Sequence, residues 1–127
     1  MRPSRSSGTD ARGRAERYGR RGESLAGWYL RAKFYRIVAR RVKTPVGEID
    51  LVARRFGVTV FIEVKARRAG GGELEALQAV NQRRIVQAAE YYVARHPALA
   101  ASPLRFDVIF LAPLSWPRHV MNAFDAS

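Results

Sequence analysis

Apolar positions recur at steps of four and three from Ala15 to about Ala32: Tyr18, Gly22, Leu25, Tyr29 and Ala32. That spacing lays one stripe along a helix. Glu23 lies beside the stripe, one position round from Gly22. The period changes at Tyr35. Residues 35–43, YRIVARRVK, are β-branched and basic, which predicts a strand near a sheet edge. Thr44-Pro45-Val46-Gly47 predicts a turn, with Pro presetting φ at its second position and Gly suiting its fourth. Residues 48–53 predict a second strand, and Arg55-Phe56-Gly57 a second reversal. Residues 58–65, VTVFIEVK, form the strongest strand pattern in the chain. Together these segments predict a three-stranded meander joined by short turns.

Gly70-Gly71-Gly72 breaks the periodicity. Glu73 and Glu75 then fall in the first turn of a long predicted helix, where the helix dipole favours acids. Leu74, Leu77, Val80, Ile85, Ala88, Tyr92 and Val93 trace its buried side, and Pro97 ends it. Residues 104–111, LRFDVIFL, predict another strand. Pro113 and Pro117 punctuate a loop, and residues 119–124 predict a short final strand. The order is α-β-β-β-α-β, an α/β fold with one sheet layer and helices packed on it. Residues 1–14, rich in Arg, Ser and Gly, are expected to be a flexible basic tail. Residues 15–127 are expected to form a single domain.

Composition narrows the function. The chain has 127 residues and a net charge of +12, from 23 Lys plus Arg against 11 Asp plus Glu. That excess points to an acidic partner, most often nucleic acid. There is no Cys, which removes thiolate metal sites, Cys nucleophiles and disulfides. No apolar run approaches the ~20 residues needed to span a bilayer, and residues 1–24 lack the apolar core of a secretory signal. No membrane role and a cytoplasmic location are therefore expected. No phosphate-cradling glycine loop is present, which argues against an NTPase.

Three polar residues interrupt strands that otherwise look buried. Asp50 lies between Ile49 and Leu51, Glu63 between Ile62 and Val64, and Lys65 ends the same strand. Residues two apart on a strand face one side, so Glu63 and Lys65 project together, and Glu48 and Asp50 likewise. A tight turn near Arg55–Gly57 would place Asp50 opposite Lys65 to within two residues. Two close carboxylates are costly unless a cation compensates them. Mg²⁺ commonly takes one or two protein carboxylates and keeps its waters. By spacing alone, the same residues also suit a structural ion pair between adjacent strands.

Glycine, Glu48, Ile49 and Asp50 (GEID at 47–50), followed after twelve residues by EVK at 63–65, resemble the PD-(D/E)xK nuclease motif. In that superfamily an Asp precedes a Glu-x-Lys on the next strand, within a restriction-endonuclease-like αβββαβ core, a mixed sheet flanked by helices. The chain is more closely similar to the YraN-like family of small bacterial proteins, related to archaeal Holliday-junction resolvases. The matching stretches are 19–23, 44–53, 60–67, 82–85 and 105–108. The resemblance implies Asp50 and Glu63 as metal ligands and Lys65 as the catalytic lysine. It implies the Val64 backbone carbonyl as a further ligand and Glu23 as a candidate one, with Glu48 and Gln82 behind them. The implied cofactor is Mg (or Mn). The implied activity is metal-dependent hydrolysis of phosphodiesters in nucleic acid, DNA favoured over RNA and branched or structured DNA in particular, by a homodimer. The alternative is a catalytically silent nucleic-acid-binding module of the same fold. Asn81 stands where relatives usually carry Lys, and the 68–75 loop lacks their aromatic–glycine pattern.

Arg67, Arg68, Arg83 and Arg84 are candidates to line a phosphate-binding surface. Arg105 and Asp107 share a strand face and are expected to form a structural pair. Trp28, Tyr29, Tyr91 and Tyr92 fall at helical spacing and are expected mainly in the core. His96 and His119 have no ligand-like spacing and receive no metal role.

Overall fold

A computed structural model describes residues 24–66 and 81–126. The helical residues 24–32 (α1) lead into three strands: β1 (Arg36–Thr44), β2 (Gly47–Arg55) and β3 (Val58–Ala66). Helix α2 (Gln82–Ala94) and a short 3₁₀ turn (Pro97–Leu99) precede β4 (Leu104–Leu111) and β5 (Arg118–Phe124). The five strands form one mixed sheet in the order β1-β2-β3-β4-β5. Only the β3–β4 pair is parallel, because these strands are joined through a helical segment and not a hairpin. This is the predicted α/β core, with β1 at an edge as its arginines suggest.

Side-chain chemistry closes each hairpin. Thr44 Oγ1 donates to the Gly47 carbonyl at 2.6 Å and accepts from the Val46 and Gly47 amides. Phe56 and Gly57 both have positive φ, 52° and 80°, the combination a tight two-residue hairpin requires. Gly47 serves packing more than turning. A Cβ there would stand 3.3 Å from the Arg84 carbonyl and 3.8 Å from the Ala88 Cβ. The bare backbone thus lets α2 lie against the start of β2.

Two apolar clusters cover the two faces of the sheet. Ile49, Val52, Phe61, Phe106, Val108 and Phe110 meet Ile85, Val86, Ala88, Ala89 and Tyr92 of α2. Phe106 stacks between Phe61 and Phe124, at 5.6 and 5.2 Å between ring centroids. On the other face, Leu51, Ala53, Val60, Ile62, Ile109 and Leu111 meet Ala26 and Leu30 of α1. Each buried Leu, Ile or Phe contributes roughly 1.5–3 kcal/mol.

Three expectations need correction. The buried side of α1 is Ala26, Gly27 and Leu30, whereas Leu25 and Trp28 are exposed, Trp28 to 70%. Gly27 suits this face because the Arg40 guanidinium lies over it, 3.2 Å from where a Cβ would be. Of the long helix predicted from Glu73, the described part begins at Gln82. Asn81 is non-helical, with φ −81° and ψ 84°, and its side chain accepts from the Arg84 amide as the N-cap of α2. The alternation of β2 also breaks at Asp50: Ile49 packs under α2 but Leu51 packs under α1. Glu48 and Asp50 therefore do not simply share a face. Tail residues 1–14, Glu23, Arg67, Arg68 and the 68–75 loop lie outside the described residues.

Candidate nuclease-like site

The break in β2 makes the site. Main-chain pairing of β2 with β3 runs from Arg55↔Val58 to Leu51↔Ile62 and goes no further. Its next step would set Asp50 level with Glu63, within two residues of Lys65 as expected. Instead the Asp50 side chain takes over from the ladder, its Oδ2 accepting the Val64 amide at 2.8 Å. On β1, Arg41 has φ 51° and falls between the pairs Arg40↔Leu51 and Val42↔Ile49. Both strands thus turn over at the level of Asp50.

Val64 is the residue between Glu63 and Lys65. Asp50 is therefore held against the stretch of β3 that carries the other two candidates. Lys65 Nζ stands 3.1 Å from Glu63 Oε2, with both side chains mostly shielded. Glu63 and Lys65 project on the α2 side with Phe61, while Val60, Ile62 and Val64 pack on the α1 side. The observed ion pair lies along β3 itself, not across strands. Glu48 is exposed and pairs in register with Lys43.

The Asp50 and Glu63 side chains offer hard carboxylate oxygens. Among the described residues, no three His, Cys, Asp or Glu cluster as a metal cage. The chemistry suits a cation that takes one or two carboxylates and keeps water, as Mg²⁺ and Mn²⁺ do, and not a softer metal.

The basic candidates divide. Arg84 is tied to the β1–β2 turn, its Nε donating to the Val46 carbonyl at 3.2 Å. Gln82 and Arg83 instead line a cleft of about 610 Å³ between α2 and the residues after β5, with Glu90 and Asp125. That cleft does not include Asp50, Glu63 or Lys65.

A second polar centre lies on the α1 side of the sheet. Asp107 is fully buried. It accepts from Arg105 Nε and Nη2 at 2.8 and 2.7 Å, from His119 Nε2 at 2.6 Å and from the Asn122 amide at 2.9 Å. Arg105 also donates to the Tyr35 hydroxyl at 2.5 Å. Burial alone would push the Asp107 carboxyl up. The bonds from His119, Arg105 and Asn122, with the Arg105 charge, outweigh it and hold the pKa below the ordinary carboxylate value. The Arg105 pKa is raised in turn, chiefly by its bond to Asp107. His119 Nδ1 faces Lys33 Nζ at 3.3 Å, so Nε2 carries the hydrogen given to Asp107 and Nδ1 accepts. The pairing of Arg105 with Asp107 is as expected. The part of His119 in it is new.

A mixed sheet with helices on both faces, an Asp at a strand break and a Glu-x-Lys on the next strand define the PD-(D/E)xK nuclease superfamily as the structural class. A family model described as "Uncharacterised protein family UPF0102" matches residues 22–111. The chain belongs to that family, which is the YraN-like group within the superfamily. It is 48% identical over 116 residues to a UPF0102 protein of Chelativorans sp., covering 91% of this chain and 94% of that one. UPF0102 proteins of Parvibaculum lavamentivorans and Bradyrhizobium diazoefficiens are each 50% identical. They cover 87% and 89% of this chain and 83% and 85% of their own lengths.

Proposed function

We propose that this protein is a metal-dependent endonuclease that hydrolyses phosphodiesters in nucleic acid, DNA in preference to RNA. One observation carries the reading: the Asp50 carboxylate is fixed on the Val64 amide, beside the paired Glu63 and Lys65. An Asp that only needed a hydrogen bond would not require Glu63 and Lys65 on the adjoining residues. Asp50, Glu63 and the Val64 carbonyl would hold Mg²⁺ or Mn²⁺. When bound, such an ion supplies a Lewis acid and an activated water. Lys65 keeps a positive charge where the phosphate becomes more negative in the transition state. Its pairing with Glu63 orients the ammonium before substrate arrives. The net charge of +12 attracts the polyanion over a longer range. Water adds to phosphorus, one ester bond breaks, and the strand ends as a phosphate monoester and a hydroxyl. Among the described residues no helix is long and apolar enough to cross a membrane, and we place the protein with its substrate in the cytoplasm.

The test is cleavage of junction, flap, single-stranded and duplex DNA, and of RNA, with Mg²⁺ or Mn²⁺. Wild type is expected to cut at least one of them. Asp50→Ala, Glu63→Ala and Lys65→Ala should each lose activity at least a hundredfold while still binding. Binding without cleavage by wild type would leave the catalytically silent module as the function.

A further inference from the structure

The loop between β4 and β5 carries two large apolar side chains in open solvent. Leu114 is fully exposed and Trp116 is 86% exposed. The Ser115 amide bonds back to the Ala112 carbonyl at 3.3 Å, closing a turn with Pro113 second and Leu114 third. Leu114 has φ 59°, at a position that turn chemistry ordinarily gives to Gly or Asn. Phe34 and Phe56 share positive φ and high exposure, so what singles out Leu114 and Trp116 is their place in the sheet. Pro113 and Pro117 limit the loop's freedom, so both side chains are presented at low entropic cost.

The loop stands at the catalytic end of the sheet. Lys65 pairs with Phe110, and Phe110 with Arg118. Phe110 and Val120 both pack on the α2 side, so Arg118, two residues from Val120, faces the same side as Lys65. With neighbouring strands ~4.8 Å apart, the Arg118 backbone is roughly 10 Å from that of Lys65. Trp116, two residues on, lies within roughly 17 Å of it. Two cationic side chains, Lys65 and Arg118, with an aromatic near them resemble the pattern that holds single strands: charge on the backbone, a ring on a base.

We infer that Trp116, with Leu114 beside it, stacks on an unpaired base within a few nucleotides of the phosphate held at Lys65, so that the preferred substrate is single-stranded there. The inference rests on the nuclease reading of the Asp50–Glu63–Lys65 site. It selects nucleic acid over a membrane or protein partner because of those two cationic side chains and the net charge of the chain.

The experiment uses the full chain carrying Trp28→Phe, which leaves Trp116 as the only indole, with Ca²⁺ present as a hard cation for the carboxylates. Fluorescence is titrated with single-stranded oligothymidine and with a duplex of equal length. Oligothymidine should quench Trp116 strongly and duplex weakly. Trp116→Ala should weaken single-strand binding about tenfold and duplex binding little, and Trp116→Phe should restore most of it. Phe56→Ser, at the opposite end of the sheet, should change nothing. Unquenched binding, equal binding by Trp116→Ala, or a response to anionic vesicles or to self-association in place of oligothymidine would each overturn the inference. Cleavage is not read here, so quenching by a protein that cuts nothing would sink only the nuclease reading. Full-rate cutting by Trp116→Ala with an unchanged substrate preference would sink only this one.

Discussion

Asp107 accepts four hydrogen bonds with its carboxylate fully out of solvent. Such a group stabilises only as part of a complete set, because removing one partner leaves another buried and unpaired. Asp107→Ala is expected to cost about 3 kcal/mol in chemical denaturation, since Arg105 and His119 lose their acceptor together. The sign of the pH effect follows from the lowered pKa. Unfolded, the carboxyl titrates near its ordinary value of about 3.9, and folded it titrates lower. Its contribution is complete above that range and is lost as pH falls through the folded pKa. Wild type should therefore lose stability below about pH 4 more steeply than Asp107→Asn. At this scale the sequence was partly readable. Arg105 and Asp107, two apart in a strand, announced their pairing. His119 did not, because it stands opposite Ile109 and reaches Asp107 only diagonally across the strands, which no spacing within one strand anticipates. Trp116 and Leu114 gave no periodic signal in a loop.

Element boundaries depend on single side chains here. Asn81 takes the N-cap of α2 through its bond to the Arg84 amide. Asn81→Ala should lower stability by about 1 kcal/mol, and Asn81→Asp should hold it, as thermal unfolding would register. Ala88 is fully buried and faces Gly47 across the helix–strand contact. Ala88→Leu should overpack that contact by about 1–3 kcal/mol and push α2 from the start of β2. The three-strand meander was legible because its turns are short and its strands β-branched. The buried face of α1 was misread for the opposite reason. Ala26 and Gly27 carry almost no hydrophobic signal, so Leu25 and Tyr29 dominated the pattern although Leu25 faces solvent. Asp50, Glu63 and Lys65 were legible as polar residues inside apolar strands. The turnover at Asp50 was not, since it needs the positive φ of Arg41 on a neighbouring strand.

For the whole molecule, charge and site have opposite local signs. On the proposed reading, a basic protein holds a small acidic spot at Asp50 and Glu63, which would repel phosphate until a cation filled it. Affinity for nucleic acid should therefore fall steeply with added salt, by about one log unit per log of salt for each phosphate neutralised. Lys65→Ala and Arg83→Ala should each lessen that slope by about one, whereas Phe56→Ser should leave it unchanged. Whether those carboxylates hold a divalent ion decides the proposed function most directly. Titration of Mn²⁺ into the full chain, followed by calorimetry or electron paramagnetic resonance, measures this without substrate. The expected result is one ion per chain, lost in Asp50→Ala and in Glu63→Ala while circular dichroism stays unchanged. Wild type that binds no Mn²⁺ at millimolar concentration, or binds it equally well without those carboxylates, would contradict the account.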